Sequence, residues 1–177
     1  MSVLAIVRRV LAASVLVLPL LTGPPAAAAP LTDSCLWRKP VLDVYYASVD
    51  PTWRVGRALR IWNDVHQGQP RLRTVTSKAA ADVVVSPYRA HATDVNGWTL
   101  NYCDRDHITR STVRLNAARP LSHASRAKVT VHEFGHVLSL RHRPYRPYRP
   151  RETVMDAYLR GSAYPTLLDR LTLGSIY

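Results

Sequence analysis

Residues 132–142, HEFGHVLSLRH, constrain the fold of this 177-residue chain more than any other segment, because their chemistry demands a helix that runs for two turns and then breaks off. Side chains four residues apart on an α-helix lie one above the other. His132 and His136 therefore present two imidazoles on one face, at a spacing that suits a single tetrahedral metal ion. Glu133 projects beside the same point, where a carboxylate can take a proton from water acidified by a metal. His142 follows His136 by six residues. A continued helix would carry it about 240° round from His136, off the metal face, at 100° per residue. It can be the third ligand only if the helix ends near Ser139. With seven histidines and two glutamates in the chain, the pattern arises by chance on the order of once in ten thousand sequences of this composition.

Other side chains could complete a metal site by residue type alone. Glu152, Asp156, His107 and His123 qualify, and His123 lies on the same expected helix, but none stands at a recognised spacing. Asp94, Asp104 and Asp106 lie in the stretch before the last expected strand and offer the hard oxygen ligands that suit calcium.

The amino terminus reads as a secretory signal. Arg8 and Arg9 precede an apolar run, Val10–Leu21, which is followed by Thr22, Gly23, two prolines and the alanines 26–29. Twelve apolar residues fall short of the roughly 20 that span a bilayer, so cleavage after Ala27 or Ala28 is expected rather than a retained anchor. The division is then a signal peptide over 1–28 and one secreted domain over 29–177, with no transmembrane segment in the mature chain. An even pair of cysteines in an exported protein, Cys35 and Cys103, favours a disulfide. The alternative is a latency role in which Cys35 sits on the metal as a thiolate.

Local patterns give the rest of the organisation. Val41–Ser48 is β-branched and aromatic and reads as a strand. Asp50 and Pro51 form a helix start, and Val55, Ala58, Leu59, Trp62 and Val65 recur at helical spacing, giving a helix over 51–67. Arg71–Ser77 and Ala81–Tyr88 read as two further strands. Residues 91–107 carry Asn96, Gly97 and several aspartates and read as a loop interrupted by a short strand-like stretch, Trp98–Tyr102. Thr109–Asn116 is the last expected strand. Ser122 caps a second helix whose apolar stripe is Ala124, Ala127, Val131, Phe134 and Leu138. This order argues a single α+β domain.

The segment His132–His142, the later Thr153–Tyr158 (TVMDAY) and the ending Pro165–Tyr177 together resemble the metzincin clan of zinc metallopeptidases, and within it the snapalysin-type small secreted neutral proteases. The resemblance implies a zincin-like fold, in which a twisted mixed sheet packs on the active-site helix and a helix closes the chain. It implies one catalytic zinc held by His132, His136 and His142, with Glu133 as general base. It also implies a methionine turn at Met155 beneath the metal, a possible transition-state donor in Tyr158, and a preference for aromatic residues after the scissile bond. Two positions depart from the pattern. Ser139 stands where the clan has glycine, and His142 stands where snapalysin-type enzymes have aspartate.

Charge bears on partners. Of 24 lysines and arginines, the signal removes Arg8 and Arg9, leaving 22 against 12 acidic residues, a net +10. Arg141, Arg143, Arg146, Arg149 and Arg151 alternate with prolines and tyrosines in repeated RPY units, which favour an extended polyproline-like loop over 141–151. Such a loop would attract an acidic substrate or an anionic cell envelope by long-range steering that salt weakens. The expected protein is a secreted, monomeric zinc endopeptidase acting on a peptide or protein substrate, with no stable nucleic-acid complex. The alternatives are a basic module that binds polyanions or cell wall on a zinc-site fold, and a peptidoglycan amidase.

Overall fold

The computed structural model describes residues 35–68, 70–143, 153–157 and 162–177. The segment expected to be a signal peptide, the RPY units beyond Arg143, Glu152 and Tyr158 lie outside the described residues. The elements run β1 (Val41–Tyr45), α1 (Val55–Val65), β2 (Arg71–Thr74), β3 (Val83–Tyr88), β4 (Gly97–Asp104), β5 (His107–Asn116), α2 (His123–Val137) and α3 (Leu167–Gly174). The strands form one mixed sheet in the order β2-β1-β3-β5-β4. β1 pairs parallel with β2 and β3, β3 pairs parallel with β5, and β4 runs antiparallel to β5 at the edge. Parallel neighbours need a crossover. α1 supplies the one between β1 and β2.

The apolar faces meet in a single core. α1 buries Val55, Ala58, Leu59 and Trp62, the stripe expected from the sequence, against α2 and β2. α2 lies across β4 and β5 and buries Val131, Phe134 and Val137, while Leu42, Val44, Val83, Val85, Val113 and Leu115 come up from the sheet. Burying an indole is favoured when its N–H finds an acceptor. Trp62 Nε1 donates to the carbonyl of Val131 at 2.8 Å and Trp37 Nε1 to that of Val137 at 2.7 Å, so both tryptophans are fixed to α2.

Two expectations are corrected. The first helix does not run unbroken over 51–67. Pro51–Trp53 is a 3-10 turn capped by Asp50, Arg54 adopts a left-handed conformation (φ 52°), and α1 begins only at Val55. The break follows from Trp53, which is buried in the core with its carbonyl taken by the Thr130 hydroxyl at 2.8 Å. The second correction concerns residues 91–107. The interrupted loop is largely an eight-residue strand, β4, joined to β5 by a tight turn in which Arg105 has φ 54°. Its aspartates suggested loop chemistry, but antiparallel pairing along β5 satisfies its backbone. The stretch before β4 is held by Asn116, whose buried side chain bonds the carbonyls of Ala90 and Val95.

Cys35 and Cys103 are joined in a disulfide, so the latency alternative for Cys35 gives way to a structural one. Beside it, Leu36 pairs with the β4–β5 hairpin through Leu36 N to Asp106 O (3.1 Å) and Ile108 N to Leu36 O (2.8 Å). Residues 35–37 thus form a strap between the sheet edge and the end of α2. The bond closes a loop of 68 residues, for which chain entropy gives a stabilisation of about 4 kcal/mol. Replacing both cysteines by alanine should lower the unfolding free energy by about 2–4 kcal/mol in urea titrations.

Candidate metal centre

The site is built on α2. Ser122 caps it, its side chain accepting from Ser125 N at 3.1 Å. His132 and His136 rise from its last two turns with ring centroids 4.9 Å apart and planes nearly perpendicular. The helix then stops where the chemistry requires. Ser139 has φ 66°, Ser139 N donates to His136 O at 2.9 Å, and Leu140 N donates to Gly135 O at 3.0 Å. These are the two bonds of a Schellman motif, in which a left-handed residue reverses the chain and satisfies the last carbonyls. The reversal brings His142 back over the helix face.

His142 Nε2 lies 3.0 Å from Nε2 of both His132 and His136, and the three ligand nitrogens all fall within 4.8 Å of one another. The opposite ring nitrogens determine what those atoms can do. His132 Nδ1 faces the carbonyl of Val154 at 2.8 Å, and His136 Nδ1 faces that of Leu140 at 2.6 Å. A carbonyl only accepts, so each Nδ1 carries the proton and each Nε2 presents a lone pair inward. Burial, reinforced by the neighbouring His136, drives the His132 pKa down to about 3. Burial also lowers that of His142, against the opposing pull of the Asp156 carboxylate. The Nε2 lone pairs of His132 and His136 both face the point that His142 Nε2 reaches, 3.0 Å from each, which is the convergence of donors a cation needs. Tetrahedral metal–nitrogen bonds of 2.0–2.1 Å place ligand nitrogens roughly 3.3 Å apart. The donor set therefore fits a metal ion.

Glu133 is buried beside this cluster. Its Oε2 accepts from the Thr99 hydroxyl at 2.8 Å, and that hydroxyl also lies 3.1 Å from the Glu133 carbonyl. Burial pushes the Glu133 pKa up to about 7, the Thr99 bond pulling it back in part. Gly97 makes room for it: a Cβ there would stand 3.0 Å from Glu133 Oε1 and 3.2 Å from the carbonyl of Arg114. Further along the same strand, Asn101 Nδ2 donates to His136 O at 2.9 Å. Glu133, His136 and His142 open onto a 590 Å³ cleft whose other wall is β4, with Trp98, Thr99 and Arg141 on its lining.

The floor is the turn at residues 153–156. Met155 is fully buried and packs on Gly135, where any Cβ would collide with its Sδ. The turn is held by Asp169 in α3, which accepts from Thr153 Oγ1 at 2.5 Å and Val154 N at 2.9 Å while closing a capping box with Thr166. Arg143 N bonds Met155 O at 2.9 Å, tying the segment after His142 to the same turn. Thr99, Asn101 and Asp169 were not singled out from the sequence. For Asp169 the capping pattern Thr166-x-x-Asp169 was a visible signal; for the two β4 residues nothing local was.

Several candidates do not join the centre. His107 sits in the β4–β5 hairpin near Asp104 and Asp106, and His123 opens α2 at its far end. Asp156 is buried near His142 as an electrostatic neighbour and is not among the clustered ligands. The three aspartates considered for calcium do not converge: Asp94 precedes β4 and pairs with Arg119 (3.3 Å), whereas Asp104 and Asp106 lie at its other end, Asp106 paired with Arg38 (2.6 Å).

Removing His142 as alanine should weaken binding of a divalent metal by more than about 100-fold in chelator competition, since ligand loss exceeds the 10–100-fold typical of outer-shell changes. Replacing Gly135 by alanine should destabilise the fold by about 1–3 kcal/mol, the range for overpacking a filled core, read from thermal or urea unfolding. Compared with models of known protein families and with curated proteins, the chain matches none.

Proposed function

We propose that this protein is a zinc-dependent endopeptidase, as the metzincin resemblance of its sequence implies. The observation that carries the reading is the pairing of a buried, hydrogen-bonded carboxylate, Glu133, with three convergent imidazoles at the mouth of an open cleft. His132, His136 and His142 would hold the ion. Three neutral nitrogen ligands suit zinc and leave a fourth position for chemistry. A structural zinc is closed by four protein ligands and has no use for an adjacent buried acid. Bound there, zinc supplies a Lewis acid that acidifies water and polarises a carbonyl.

The chain's own groups account for the proton transfers. Glu133 Oε1, the oxygen not taken by Thr99, accepts a proton from water at the site and returns it to the departing amine. The unliganded Glu133 has its pKa raised by burial, and a neighbouring cation favours its ionised, proton-accepting form. Thr99 holds the carboxylate so that little reorientation is needed.

The cleft wall favours an extended peptide over a compact substrate. β4 is the edge of the sheet, and an edge strand offers main-chain donors and acceptors to an added strand. Thr99 and Asn101 point from it to α2, so its outer edge runs past Glu133. Secretion, a monomeric state and attraction of acidic partners by the arginine-rich segment from Arg141 belong to the same reading.

Glu133→Gln should keep zinc at full stoichiometry while lowering casein hydrolysis by about 10²–10⁴-fold, the range for loss of a general base. Unchanged proteolysis in that variant, or proteolysis by the native protein that survives phenanthroline, would exclude the mechanism.

A further inference from the structure

The geometry points to Ser139 as the residue that positions the third imidazole, by a hydroxyl anchored on the disulfide-bonded strap at Cys35. The inference rests on the metal reading of His132, His136 and His142.

Ser139 occupies a left-handed conformation (φ 66°) that disfavours every residue with a Cβ. It is fully buried, so its hydroxyl must find a protein partner. Ser139 Oγ donates to the carbonyl of Cys35 at 3.0 Å and lies 3.5 Å from the hydroxyl of Tyr177. The acceptor is itself immobilised on every side. Cys35 is bonded to Cys103 in β4, Leu36 is paired with the β4–β5 hairpin, and Trp37 bonds Val137 O through its indole and Tyr177 through its backbone N–H (3.3 Å). A rigid acceptor in that place selects the backbone torsion that delivers the hydroxyl to it.

Two features of the centre depend on that torsion. With Ser139 helical, the chain would continue along α2, Leu140 O would leave His136 Nδ1, and His142 would leave the other two imidazoles. Glycine reaches the left-handed region by backbone freedom. Serine reaches it here by an anchor, which makes the metal site depend on a disulfide made outside α2.

The test measures zinc affinity by chelator competition and the visible spectrum of the cobalt-substituted protein, with circular dichroism of each metal-free variant as the folding control. Ser139→Ala keeps the Cβ and loses the anchor, and should bind zinc about tenfold more weakly, each tenfold being 1.4 kcal/mol. Ser139→Gly, which needs no anchor, should stay within about twofold of the native protein. The Cys35→Ser, Cys103→Ser pair should weaken zinc in the native background but add little in the Ser139→Ala background, as coupled sites do. Native affinity in Ser139→Ala would overturn the anchor, a Ser139→Gly variant as weak as Ser139→Ala would overturn its equivalence to glycine, and additive losses would overturn the link to the disulfide. If the native protein itself binds no zinc, the metal reading fails and not this inference alone.

Discussion

The reversal of the chain at the end of α2 is the constraint on which the centre depends. In two residues it satisfies the Gly135 and His136 carbonyls, returns the Leu140 carbonyl to the ring of His136, and carries His142 into contact with His132 and His136. None of these arrangements survives if the helix continues, because a ligand six residues beyond His136 then faces another side of the cylinder. Much of the surrounding structure is organised around that stop. Trp37 and Asn101 take carbonyls of the last turn, and the Met155 turn packs beneath it.

Electrostatics within the centre suits a bound cation. Burial favours neutral imidazoles and a neutral acid, as the lowered His132 and raised Glu133 values reflect. Backbone carbonyls hold protons on the outer nitrogens of His132 and His136, leaving lone pairs turned inward. A cation bound there would be held by those lone pairs and would favour the ionised carboxylate in the same step. Under the proposed peptidase reading, ligand set and base are thus prepared by one environment rather than by separate devices.

Outside the centre, each element contributes by position. β4 gives Thr99 and Asn101 to α2 from one face, and its other side chains, Trp98, Leu100 and Tyr102, are 40–48 % exposed on the opposite face. α3 adds little to the core beyond Leu173, yet its capping aspartate fixes the turn that supplies the Val154 carbonyl to His132. The aspartate that starts a helix therefore also sets the tautomer of His132, two segments away.

The amino-acid sequence by itself determined the elements whose signals are local. These are the 3.6-residue stripe of α1, the Ser122 cap of α2, the β-branched runs of β1, β3 and β5, and the one-face spacing of His132, Glu133 and His136. It also set the condition for His142, that the helix end near Ser139. The breaks and pairings that only remote partners create were not legible: Arg54 turns left-handed for the sake of Trp53, and β4 becomes a strand because β5 satisfies it. Tertiary structure alone decided that Ser139 stops the helix, that His132 and His136 expose Nε2, and that Glu133 is held by Thr99. The physical reason is distance along the chain. The acceptor that fixes Ser139 lies 104 residues earlier and the hydroxyl that fixes Glu133 lies 34 residues earlier, so neither can be read from periodicity, which reports only neighbours within a few turns.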